Sequence, residues 1–152
     1  MDNEVFRRTY RAVNERFCPF EKSILTNNCG CSRGRRFCIA EREGVSCGSD
    51  AAQAQCLELL DRLRRQARFA LKATDERAAL PHAKAMRVQV GGLRGLHAVA
   101  MPDEPVPETI EDIHGIIEAA LDRFHTLFAL PYQPIIRQIA AYRGRRRLRR
   151  LR

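Results

Sequence analysis

All six cysteines of this 152-residue chain lie between positions 18 and 56, and residues 57–152 contain none. They are Cys18, Cys29, Cys31, Cys38, Cys47 and Cys56. Scattered structural cysteines do not concentrate in one third of a chain, so this cluster dictates how its own segment takes shape. Residues 18–49 show no sustained hydrophobic period and contain Gly30, Gly34, Gly44 and Gly48 beside Asn27, Asn28 and Ser32. That is loop chemistry, with one short helical turn at most near 37–42. A loop of this length inside a compact domain needs an organiser, and thiolates converging on a metal centre supply one.

Three kinds of cysteine chemistry compete. Disulfide frameworks belong to secreted chains. The start of this one, Met-Asp-Asn-Glu-Val-Phe-Arg-Arg, lacks the apolar run of a secretory signal. Structural zinc favours two close pairs of ligands, two to four residues apart. Here only Cys29-Gly30-Cys31 is close, and the later gaps are six, eight and eight residues. An iron–sulfur cluster takes its ligands at splayed corners, so wide spacing is no obstacle, and its sulfurs accept backbone N–H hydrogen bonds. Glycines beside Cys29, Cys31 and Cys47 let a backbone come close. Pro19 follows Cys18, as proline often follows a cluster cysteine. Arg33, Arg35, Arg36 and Arg42 offset a negative cluster. The expected cofactor is therefore an iron–sulfur cluster, 4Fe-4S in type, with zinc as the alternative. Cys29, Cys31, Cys38 and Cys47 are the preferred ligands because all lie in the aperiodic stretch. Cys18 and Cys56 are further candidates; Cys56 also reads as a small buried hydrophobe on a helix.

The remaining sequence reads as mainly α with a small β-hairpin. Phe6, Tyr10, Val13 and Phe17 form one apolar stripe, predicting a helix over 3–17 with Asn3 as its N-cap. Residues 50–73 read as a second helix, capped by Asp50 and lined by Cys56, Leu60, Leu63 and Ala67. Met86, Val88 and Val90 alternate with Arg87 and Gln89, and Gly91, Gly92 and Gly95 follow, so 86–101 reads as the hairpin. Pro102, Pro105 and Pro107 mark a linker, then helices at 107–128 and 132–142. The first of these carries Ile110, Ile113, Ile117, Leu121, Phe124 and Phe128 as its stripe. The organisation is thus 1–76, helix, cysteine-rich metal-binding loop and capping helix; 77–142, hairpin and C-terminal helices; and 143–152, an arginine-rich tail.

The net charge of +9 is mostly that tail. Seven arginines, the first Arg143 and the last Arg152, and no acid fill residues 143–152. An anionic surface is the partner it suits, whether RNA, membrane headgroups or an acidic protein. The histidines at 82, 97, 114 and 125 lack metal-ligand spacing, and the glycines at 91–95 fit no phosphate-binding fingerprint. No segment approaches the ~18 apolar residues of a membrane span. The expectation is a cytoplasmic protein, or one peripheral at a membrane surface, that is not an enzyme on its own. It would transfer electrons, or serve as an accessory subunit, with protein partners in a redox complex. The alternative is a zinc-stabilised nucleic-acid-binding or interaction module, and a third reading is a thiol redox sensor.

Overall fold

The computed structural model describes residues 2–72 and 80–144. It is mainly helical, with one two-stranded antiparallel sheet. The first helix, α1 (Asn3–Val13), is capped by the Asp2 side chain, one residue before the expected Asn3. It ends four residues short of the predicted boundary, and none of its residues is fully buried. A short α2 (Glu21–Leu25) follows.

The sheet lies inside the cysteine-rich segment, where sequence reasoning placed loop. Strand β1 (Gly34–Ile39) pairs with β2 (Arg42–Cys47), Gly34 opposite Cys47 and Ile39 opposite Arg42. The connection is the two residues Ala40 and Glu41, with Ala40 at φ 54. Two-residue hairpin turns normally announce themselves by Asn-Gly or Gly in this left-handed region; alanine gives no such signal. At the middle of the ladder the Phe37 ring covers Gly44, leaving no room there for a side chain.

Helix α3 (Asp50–Gln66) is capped by Ser49, whose hydroxyl accepts from the Ala52 N–H at 3.2 Å, so the cap precedes the expected Asp50. It buries Ala52, Cys56, Leu59 and Leu63, and the single turn α4 (Arg68–Leu71) follows. The predicted boundary between 76 and 77 falls outside the described residues.

Residues 86–101 are not a hairpin. They run as α5 (His82–Met86), a π-helical segment (Arg87–Gly91) and α6 (Gly92–Ala100). The glycines taken for a turn are contact points between helices. A Cβ on Gly91 would stand 2.7 Å from the Ile139 Cα, and one on Gly95 equally close to the Ile135 Cα. A Cβ on Gly92 would meet Leu63 at 2.7 Å. Both neighbours of the first two belong to α8 (Tyr132–Ala141), against which α6 packs backbone to backbone. Strand-like alternation over five residues is too short to distinguish the two periods when both faces are buried. Here Val88, Gln89 and Val90 are all buried.

The long loop from Met101 to Asp112 leads into α7 (Ile113–Phe124), shorter at both ends than the expected 107–128. Ile113 and Ile117 are buried as expected, whereas Phe128 is exposed beneath the Arg62 guanidinium. One continuous core joins Leu59, Leu63, Leu93, Leu96, Ile117 and Ile135 to Phe20, Ile24 and the buried thiols. No helix among the described residues is long and apolar enough to cross a membrane.

Candidate metal centre

The cysteine region is tied together by main-chain hydrogen bonds. The Cys18 N–H donates to the Val45 carbonyl at 3.0 Å, and the Cys47 N–H to that of Arg16 at 2.7 Å. The segment carrying Cys18 therefore lies along the outer edge of β2. Glu21 locks the same edge: its Oε1 accepts from the Val45 N–H at 2.6 Å and from the Tyr10 hydroxyl at 2.9 Å. Asn14, buried at the end of α1, donates to the Val45 carbonyl at 3.1 Å.

The loop bearing Cys29 and Cys31 is held on the opposite side by the segment before α7. Cys29 forms a parallel bridge with Ile110. Gly30 N–H donates to the Ile110 carbonyl, and the Gly30 carbonyl accepts from Ile113, each at 2.9 Å. A Cβ on Gly30 would stand 2.9 Å from the Glu111 oxygen, so this glycine permits backbone approach to residues 110–113. The Ser32 N–H donates to Asp112 Oδ1 at 2.9 Å. Burial pushes the Asp112 carboxyl up, but hydrogen bonds from Ser32 and Gly115 outweigh it and hold the group below its usual range.

These ties bring together thiols from four separate segments. Cys18, Cys29, Cys47 and Cys56 are buried and Cys31 half-buried, all as free thiols. Burial is the main cause that lifts Cys18, Cys29 and Cys56 from an ordinary value near 9 to about 12. The charges of neighbouring thiols add to it. Cys18 and Cys56 each feel Cys31 and Cys47, and Cys56 also feels Cys18. Cys29 feels Cys18 and Cys31, while the neighbouring Ser23 hydroxyl pulls it partly back. Cys18, Cys31, Cys47 and Cys56 thus form an interacting quartet with Cys29 at its flank.

Two contacts to sulfur are already in place. The Arg33 N–H donates to Cys31 Sγ at 3.5 Å, and Cys47 Sγ–H donates to the Ser49 carbonyl at 3.3 Å. Cys47 also borders a surface groove of about 420 Å³ with Asn14, Arg16, Arg35 and Gly48. Among the described residues, no three His, Cys, Asp or Glu side chains are arranged to hold a single metal ion.

No known protein family, curated protein or solved structure matches this chain.

Of the four preferred ligands, Cys29, Cys31 and Cys47 join this gathering and Cys38 stands apart. Cys38 is exposed on β1, four residues along the strand from Gly34, the partner of Cys47. At about 3.3 Å per residue that sets it roughly 13 Å along the strand from the level of Cys47. The two further candidates, Cys18 and Cys56, sit at the heart of the group. Spacing along the chain could not reveal this, because the Cys18 segment reaches the others through a sheet edge that the sequence does not announce. Sequence reasoning also missed Ser23, wholly buried, whose hydroxyl donates to Gln89 Oε1 at 2.5 Å and lies beside Cys29. A serine in a loop-like stretch carries no sign of such burial.

Proposed function

We propose that Cys18, Cys31, Cys47 and Cys56 hold an iron–sulfur cluster, 4Fe-4S in type, and that the protein uses it to carry single electrons to and from a partner protein. The observation that supports this reading is the gathering of thiols from four segments, in which Cys56 feels the charges of Cys18, Cys31 and Cys47, and Cys18 those of Cys31 and Cys47. The donor set is all sulfur, which suits iron–sulfur and soft-metal chemistry.

The surroundings favour the same reading. The Arg33 N–H aimed at Cys31 is the kind of hydrogen bond that tunes a cluster's potential. Arg16 and Arg35 line the groove at Cys47, where they would offset negative charge on a bound centre. When loaded, the cluster supplies the electron chemistry. The chain's own part is to bury it, donate hydrogen bonds to its sulfurs and leave one edge within reach of a partner.

Metal loading has to remove protons from thiols that burial keeps protonated, so it is favoured by rising pH. The deciding experiment is analysis of protein purified without oxygen. Iron with acid-labile sulfide, lost in Cys18→Ser and Cys56→Ser but kept in Cys38→Ser, supports the proposal. Stoichiometric zinc without sulfide, or metal-free protein with oxidant-sensitive thiols, sinks it.

A further inference from the structure

Charge along the chain is strongly segregated. Residues 103–122 contain seven acids and no lysine or arginine, in a protein of net charge +9. Asp103, Glu108, Glu111, Glu118 and Asp122 are exposed, and no ion pair engages them among the described residues. Exposed like charges this dense repel one another, and that repulsion is relieved by an opposite charge laid across them.

Within this acidic stretch, bordered by Glu111 and Asp112, lies an apolar groove of about 370 Å³ between the end of α6, the loop after it and α7. Met101, Pro107, Ile110, Ile116 and Ala119 line it. His97 borders it, nine-tenths buried, with its Nδ1 unpartnered and its Nε2 3.7 Å from Glu104. An occupant complementary to such a surface is cationic and carries an apolar side chain.

The chain itself contains one. The eight residues after Gly144 are six arginines with Leu148 and Leu151, and no acid. Gly144 is where the described chain ends before them. It borders a cavity shared with Asn28, and the next residue, Cys29, is bridged to Ile110 in the groove wall. Eight residues reach about 27 Å when extended, ample to pass the 28–30 loop.

We propose that this groove seats the chain's own C-terminal segment, residues 145–152, with arginines over the carboxylates and a leucine in the apolar floor. The assignment does not depend on the metal centre.

Trypsin reads this directly, because the segment is a run of cleavage sites whose cutting rate follows the undocked fraction. In the full chain at low salt, loss of the segment, followed by intact mass, should be about tenfold slower than in a free peptide of residues 143–152. High salt should abolish the protection. The triple variant Glu104→Gln, Glu111→Gln, Glu118→Gln should bring cleavage to the peptide's rate, and Ala119→Trp, which fills the groove, should do the same without changing charge. Neutralising Glu4, Glu41 and Glu43 on the opposite part of the chain should leave protection intact. Cleavage of the native chain at the peptide's rate, or protection that survives both groove variants, overturns the proposal. Protection that grows with protein concentration also overturns it, by assigning the groove to the segment of a second copy.

Discussion

The cysteine-bearing half and the helical half of this molecule share one core but close it by different means. Between α6, α7 and α8 the interior is ordinary hydrocarbon, with Leu93, Leu96, Ile113, Ile117, Ile135 and Ile139 all but fully buried. Glycines at 91 and 95 let two helices touch backbone to backbone. Around α1, α2 and the hairpin the apolar part is smaller. Helix α1 buries no residue fully, Val13 and Phe17 are exposed, and Cys18, Cys29, Cys47 and Cys56 share the interior with Phe20, Ile24, Ile39 and Val45. One half is held by shape and apolar area. The other is held by main-chain ties and by an apolar cluster in which free thiols take several places. Residues 80–142 close on hydrocarbon alone, whereas residues 14–56 add a concentration of free thiols to the shared core.

The contrast breaks most sharply by mutation of the helical core. Leu96→Ala removes a wholly buried side chain and should cost about 2–5 kcal/mol, in metal-free and metal-loaded protein alike, by urea unfolding. If the loss appeared only in loaded protein, the two halves would not differ as described. Gly95→Ala forces a Cβ against the Ile135 backbone and should cost about 1–3 kcal/mol, read as a lowered Tm.

Titration sharpens the comparison from the other side. Burial holds Cys18, Cys29 and Cys56 near 12 in the folded chain, while unfolding restores their ordinary value near 9. Between those values the unfolded chain has released protons that the folded one retains. Each thiol's contribution to stability is thus complete below pH 9 and lost as pH climbs toward 12. Metal-free protein should become steadily less stable over this window, and replacing Cys56 by alanine should flatten the dependence. A still smaller effect belongs to Cys38. It is exposed and remote from the quartet, so Cys38→Ser should shift stability by no more than about 0.5 kcal/mol and leave metal content unchanged.

How far the sequence discloses this arrangement follows the same division. Helices with long apolar periods were legible: Cys56, Leu63 and Ala67 lie inward as their period implies, although Leu59 is buried where Leu60 was expected, Ile113 and Ile117 lie inward on α7, and α8 begins at Tyr132. The sheet was displaced because its turn uses Ala40 and Glu41, while the glycines that mimic a turn at 91–95 serve helix contact instead. The concentration of thiols was plain from their positions, but their grouping was not. Cys18 and Cys56 lie at opposite ends of the cysteine-rich segment, and only the edge pairing of residue 18 with β2 brings them into one electrostatic neighbourhood. Cys38 looked equivalent to its neighbours because chain spacing does not report which way along a strand a residue is carried.

The most direct test of the proposed cluster is the inorganic content of the native chain. Protein prepared and kept without oxygen should be brown and contain about four iron atoms and as many acid-labile sulfides per chain. A colourless, correctly folded preparation with neither iron nor sulfide, and with all six thiols free to titrate, would contradict the account.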